Sequence, residues 1–173
     1  AEALIARPPQ YTSKGMCTWG WGYTGIFLGE YYNMTKDKRV VPVARALAEC
    51  FELGQDWRSG GYSHRPFPAI QQRIAAGGPK GYGAMAGPGG LAMLAQSIAR
   101  ATGLPYSEKA YERTHQAYFM SAGSNDKASF AYGFRAWNHA VLNLANNNLG
   151  KSGKGVGYRV PTGMKGIGKY TIG

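Results

Sequence analysis

Acid is what this chain has least of. Nine Asp and Glu stand against twenty Lys and Arg in 173 residues, a formal charge of +11. Two cysteines, Cys17 and Cys50, are too few for a disulfide scaffold, although one bridge between them is open. Three histidines and those cysteines show no zinc-ligand spacing, so no metal is expected. No run approaches the ~20 apolar residues of a helical membrane span, so no membrane partner is expected. Nucleotide cradles are missing too. Gly81-Tyr82-Gly83 has no preceding strand, and Gly150-Lys151-Ser152 lacks the upstream glycine of a phosphate loop. No cofactor is therefore expected. The shortage of paired carboxylates also disfavours hydrolysis by two acids.

What is present is a hydrophobic fraction of 44%, enough for a core, and 26 glycines. Many of those glycines sit beside aromatics, which predicts tight turns and close backbone approaches in place of tethers. The charge is unevenly placed. No acid occurs between Trp57 and Ser107, or after Asp126, while basic residues continue through both stretches. Such stretches form positive surfaces unless something covers them, which makes an anionic polysaccharide or another polyanion a candidate partner. The simpler reading is charge that only keeps the protein soluble. The chain starts Ala-Glu and ends Gly-rich, as a mature product or a fragment would. The compartment is not set by the sequence, with a secreted or periplasmic one favoured.

Along the chain the pattern is helical. Residues 1–18 read as an extended lead-in, because Pro8-Pro9 does not fit a helix. Residues 19–148 read as tandem helical hairpins, and 149–173 as a Gly/Lys-rich tail. The first unit opens at Trp19-Gly20-Trp21-Gly22-Tyr23, with helices expected from about Gly25 to Met34 and from Arg39 to Leu53. In the second of these, Val40, Val43, Ala44, Leu47 and Phe51 share one face. An irregular connection over 54–87 carries a short helix near Ala69–Ala76. The second unit runs from Gly89 to Ala101, turns at Gly103, and resumes after Ser107, a cap residue. Thr35 then corresponds to Thr102, and Phe51 to Tyr118. A third helix starts near Phe134 and has no partner, which suggests a fragment or a homo-oligomer.

This alternation of aromatic-glycine turn, small-residue apolar helix, short turn and amphipathic helix resembles the α/α-toroid domains. Those include terpene cyclases, protein prenyltransferases and many polysaccharide lyases, and the pattern is also similar to an uncharacterised bacterial domain of toroid type. The resemblance covers about residues 19–148. It implies an all-α fold whose inner helices line a cavity. It does not imply cyclase chemistry, since Asp37, Asp56 and Asp126 form no aspartate cluster.

Carbohydrate chemistry in toroids makes elimination on a uronate the enzymatic reading. That reaction needs a cation or amide on the substrate carboxylate, for which Arg65 and Asn138 are candidates. It needs a base, from His64 or His139, and a proton donor, from Tyr62. Trp19 or Trp21 supplies a stacking surface. Glu30, the only acid on a predicted inner helix, completes the substrate-binding set. The alternatives are a non-catalytic polyanion-binding module and an assembly module. In the plainest reading these residues only build turns.

Overall fold

The computed structural model describes residues 1–12, 14–79, 83–123 and 141. Among them the fold is all-α. The helices are α1 (Glu2–Ala6), α2 (Cys17–Thr35), α3 (Val41–Gly54), α4 (Phe67–Ala75), α5 (Ala86–Thr102) and α6 (Glu108–Gly123). A single 3₁₀ turn, Lys38–Val40, leads into α3. Among the described residues the one β-bridge is an isolated pair, Tyr62 with Met85.

Helices α2 and α3 form the first hairpin, and they run antiparallel. Trp21 meets Phe51 edge-on near one end, while the Tyr31 hydroxyl donates to Asp37 at the other. Lys36 ends α2 in the left-handed region at φ 56°, and Asp37 then accepts the Arg39 backbone N–H to start the next turn. Pro42 sits in the first turn of α3, where its missing N–H costs nothing. Helices α5 and α6 form the second hairpin. Gly103, at φ 80°, ends α5. The Ser107 hydroxyl accepts the Ala110 N–H, capping α6 as its sequence position predicts.

The two hairpins stack with their first helices parallel. Glycines 22, 25 and 29 of α2 face Leu91, Ala95 and Ile98 of α5 in matching order. A Cβ at Gly22 would lie 2.5 Å from the Leu91 Cβ, and one at Gly25 would lie 2.7 Å from the Ala95 Cβ. The helices can approach this closely only because those side chains are hydrogen atoms. The second helices meet end to start, the close of α3 against the opening of α6. Buried Gln55, at the end of α3, reaches the Ala110 carbonyl and the Thr114 hydroxyl of α6, each at 2.8 Å. The Ser107 hydroxyl donates to Glu52 at 2.9 Å.

The expected repeat is visible in detail. Thr35 and Thr102 each close a first helix, and each hydroxyl donates to the carbonyl four residues back at 2.8 Å. Phe51 and Tyr118 occupy matching buried places in the two core clusters. Val141 is buried in the second cluster, but the rest of the expected third unit and the tail lie outside the described residues.

Two local expectations need correction. The lead-in is not wholly extended, because Glu2–Ala6 is a helix lying ahead of Pro8-Pro9, where proline imposes no bar. Glu2 pairs with exposed Arg39 at 2.8 Å and tethers that helix to the first hairpin. The second correction concerns Trp19-Gly20-Trp21-Gly22-Tyr23, which is not a turn but the first part of α2. Its glycines look like turn signals; Gly22 is instead an interhelical contact.

Candidate functional site

A helix repeats every 3.6 residues, so positions four apart fall on one face. In α2 those positions are Trp19, Tyr23, Phe27 and Tyr31. Trp19 stacks with Tyr23 at 6.5 Å between ring centroids, and Phe27 stacks with Tyr31 at 6.2 Å. Packing accounts for the opposite side of the helix: Gly22, Gly25 and Gly29 meet α5, and Trp21 and Leu28 join the core. Tyr23 and Phe27, the middle of the row, point away from both, while Trp19 touches the start of α5 and Tyr31 packs at the edge of the core. Tyr23 is 59% exposed and Phe27 is 47% exposed, high values for rings of this size. Glu30 is exposed on the same side, one turn beyond Phe27.

The N-terminal end of the row is built by three segments. Gly87, at the start of α5, leaves room for the Trp19 indole; a Cβ there would come within 2.6 Å of the ring. The loop before α4 brings His64 beside the indole, with ring planes 23° apart and centroids 6.0 Å apart. The Trp19 Nε1–H donates to His64 Nδ1 at 2.8 Å. The loop is fixed by backbone bonds, from Thr18 N–H to the His64 carbonyl at 3.4 Å and from Met85 N–H to the Tyr62 carbonyl at 2.7 Å.

That indole bond sets the imidazole chemistry. An Nδ1 that accepts a hydrogen bond carries no proton, so the neutral ring holds its proton on Nε2. His64 in this state is a donor at Nε2, not a base there. Arg65 follows at once, exposed, and its charge acts on nearby Cys17. Neither cysteine is activated. Burial pushes the Cys17 thiol up, and it donates to the Thr12 carbonyl at 3.1 Å. Burial also pushes Cys50 up to about 11.

The sequence-derived candidates therefore separate. Trp19 and His64 meet at one end of the row, Arg65 is the next residue in the chain and acts on Cys17, and Glu30 lies along the row. Trp21 does not join them. Two residues on from Trp19 it is rotated by about 200°, is 4% exposed, and packs on Phe51 and Tyr11. Tyr62 is 1% exposed, and its hydroxyl donates to the Phe51 carbonyl at 3.0 Å inside the core. Burial holds that phenol well above its ordinary range. It is thus placed to pack the core, not to reach a sugar. Asn138 and His139 lie outside the described residues. Phe27 and Tyr31 were not singled out by the sequence reading, although the fourfold spacing from Trp19 would have found them once the segment was read as helix.

Among the described residues no helix is long and apolar enough to cross a membrane. Residues 1–155 match the family described as "Domain of unknown function (DUF6288)", and the chain belongs to it. No curated protein matches the chain, and no solved structure does.

Proposed function

With that family membership as the premise, we propose that the chain is part of an α/α toroid that binds an anionic polysaccharide along the aromatic row of α2. The observation that carries this is a row of aromatic rings on α2, two stacked pairs in which Tyr23 and Phe27 face outward. Sugar rings present flat C–H faces that pack on aromatic faces, and Tyr23 and Phe27 leave theirs accessible. A uronate carboxylate near the row is a ligand for the exposed Arg65 guanidinium. Two stacked hairpins with parallel first helices are also the unit from which a toroid is repeated.

Binding is better supported than elimination. The Tyr62 hydroxyl is turned into the core, and the His64 tautomer offers a proton where a base is needed. An elimination would have to draw its acid and base from elsewhere in the chain. A second reading has one observation of its own. Helix α2 is apolar nearly all round, and such helices are ordinarily covered, which a second copy of the chain would achieve.

The test is a titration with oligogalacturonate, oligoalginate and neutral dextran, followed by tryptophan fluorescence. The acidic oligomers should bind, and the dextran should bind much more weakly. Tyr23→Ala and Arg65→Ala should each weaken binding roughly five- to tenfold, the scale of one aromatic or charge-assisted contact. Salt should erode the Arg65 contribution and leave stacking in place. Equal binding of dextran would remove the anionic specificity, and no binding by any oligomer would sink the reading. A dimer in sedimentation that Tyr23→Ala dissociates would favour assembly instead. Absorbance of an unsaturated uronate in the same samples would restore elimination.

A further inference from the structure

The bond between Trp19 and His64 can exist in only one protonation state of the histidine. The Trp19 Nε1–H donates to His64 Nδ1 at 2.8 Å, with the ring planes 23° apart. An indole nitrogen is a donor only, and an imidazolium has two donors and no acceptor. A second proton on His64 would occupy Nδ1 and set two N–H groups against each other. Proton and indole therefore compete for one lone pair.

The surroundings make that competition matter. His64 lies in the loop between the end of α3 at Gly54 and the start of α4 at Phe67. Besides the indole bond, the loop is tied to α2 by the Thr18 N–H on the His64 carbonyl, at 3.4 Å. That distance is long for a backbone bond, so the side-chain contact is the tighter link between loop and helix. On its other side the indole rests against α5, where a Cβ at Gly87 would lie 2.6 Å from the ring. It can leave His64 only by moving outward.

The groups on the elements around the pair do not replace a lost bond. The loop carries Arg58, Arg65 and Tyr62, whose hydroxyl is committed to the Phe51 carbonyl. Its one carboxylate, Asp56, is committed to the Arg58 N–H and the Ser59 hydroxyl. Helix α2 brings Cys17 and Tyr23 near this end, preceded in the chain by Lys14, and has no acid before Glu30. Helix α4 carries Arg73, and the only charge on α5 is Arg100, in its last turn.

We infer that the Trp19–His64 pair is a pH-sensitive latch, which holds the loop before α4 on α2 while His64 is neutral and releases it in acid. The contact is complete where the ring is neutral and is lost as the pH falls. Histidine side chains ordinarily change charge between about pH 5 and 8, which sets the range to search. Release would free the Trp19 end of the aromatic row, but the latch does not rest on polysaccharide binding.

The experiment follows the full chain, labelled with ¹³C and ¹⁵N, by nuclear magnetic resonance from pH 8 to pH 5. The Trp19 Nε1–H resonance should move in one step that coincides with titration of the His64 ring. Protection of the Thr18 N–H from exchange, relative to an unstructured peptide at the same pH, should fall roughly five- to tenfold across that step. This is the scale of one lost hydrogen bond. In His64→Asn, whose amide oxygen accepts throughout this range, both changes should vanish. Circular dichroism checks that the variant folds; if it does not, the coincidence of the two titrations and the Thr18 protection in the parent still decide. A Trp19 Nε1–H that stays still while His64 titrates would overturn the inference. So would unchanged Thr18 protection, or the same step in folded His64→Asn.

Discussion

Helices α2 and α5 hold equivalent places in the two hairpins and run side by side, yet they are buried differently. Helix α5 is enclosed on most of its circumference, and its sequence is correspondingly small: Ala86, Gly89, Gly90, Ala92, Ala95 and Ala99 are all buried. Helix α2 buries only the face that carries Trp21, Gly22, Gly25, Leu28 and Gly29. Small residues in α5 are explained by crowding. Rings at Tyr23 and Phe27 are not explained by packing within the described residues, because about half of each residue's surface is left open. An exposed apolar face that core formation does not require is a mark of a binding surface. The comparison thus fits the proposal above, with α5 as a central strut and α2 as the helix that carries the proposed binding face.

The sharpest way to break that comparison is at the seam the two helices share. Gly25→Val places methyl groups where a Cβ alone would sit 2.7 Å from the Ala95 Cβ. The helices must separate, and overpacking of this kind should cost roughly 2–3 kcal/mol in urea denaturation. A loss below about 0.5 kcal/mol would mean that the parallel seam is not formed in solution. Gly20 is the control on the same helix. It is exposed, and nothing lies within 4 Å of a Cβ built there. Gly20→Ala should therefore stabilise the protein by about 0.5–1 kcal/mol, since it removes glycine from a helix interior. Opposite signs for two glycines five residues apart would establish which face is the seam. Tyr23→Ala, on the open face, should leave stability within about 0.5 kcal/mol of the parent while weakening oligosaccharide binding.

Much of this architecture is legible in the sequence. The apolar spacing of Val43, Ala44, Leu47 and Phe51 predicts α3, the Ser107 cap and Gly103 stop frame the second hairpin, and the Thr35–Thr102 correspondence predicts the repeat. The start of α2 is not legible, because glycine has two uses. In Trp19-Gly20-Trp21-Gly22 the same residue type signals a turn or a close helix contact, and only the partner at Leu91 tells them apart. That single misreading rotates the site. Read as a turn, Trp19 and Trp21 both look available; read as a helix, one faces His64 and the other enters the core. Tyr62 illustrates a second limit. A Gly-rich loop suggests exposure, but burial is decided by Phe51 and Gln96, which are distant in sequence.

The smallest effect lies where the two hairpins turn. The second turn is Gly103-Leu104-Pro105, without charge. The first is Asp37 with Arg39, whose guanidinium lies 2.8 Å from the Asp37 carboxylate. The Arg39 side chain and backbone N–H hold the Asp37 carboxyl down to about 2, from the usual 3.8. A depressed folded-state value means that the carboxylate favours folding whenever it is charged. Its contribution is complete above about pH 4 and is lost as pH falls toward about 2. The Asp37 side chain is mostly covered, but its partner Arg39 is exposed, so the pair is screened by solvent and its effect is modest. In low salt the melting temperature of Asp37→Asn should lie slightly below the parent at pH 5. The two curves should converge as both are brought toward pH 2. Parallel curves across that window would mean that the Asp37–Arg39 pair does not act on stability. A matching loss in Arg39→Gln would show that the carboxylate acts through Arg39, leaving the second hairpin's uncharged turn as the acid-resistant one.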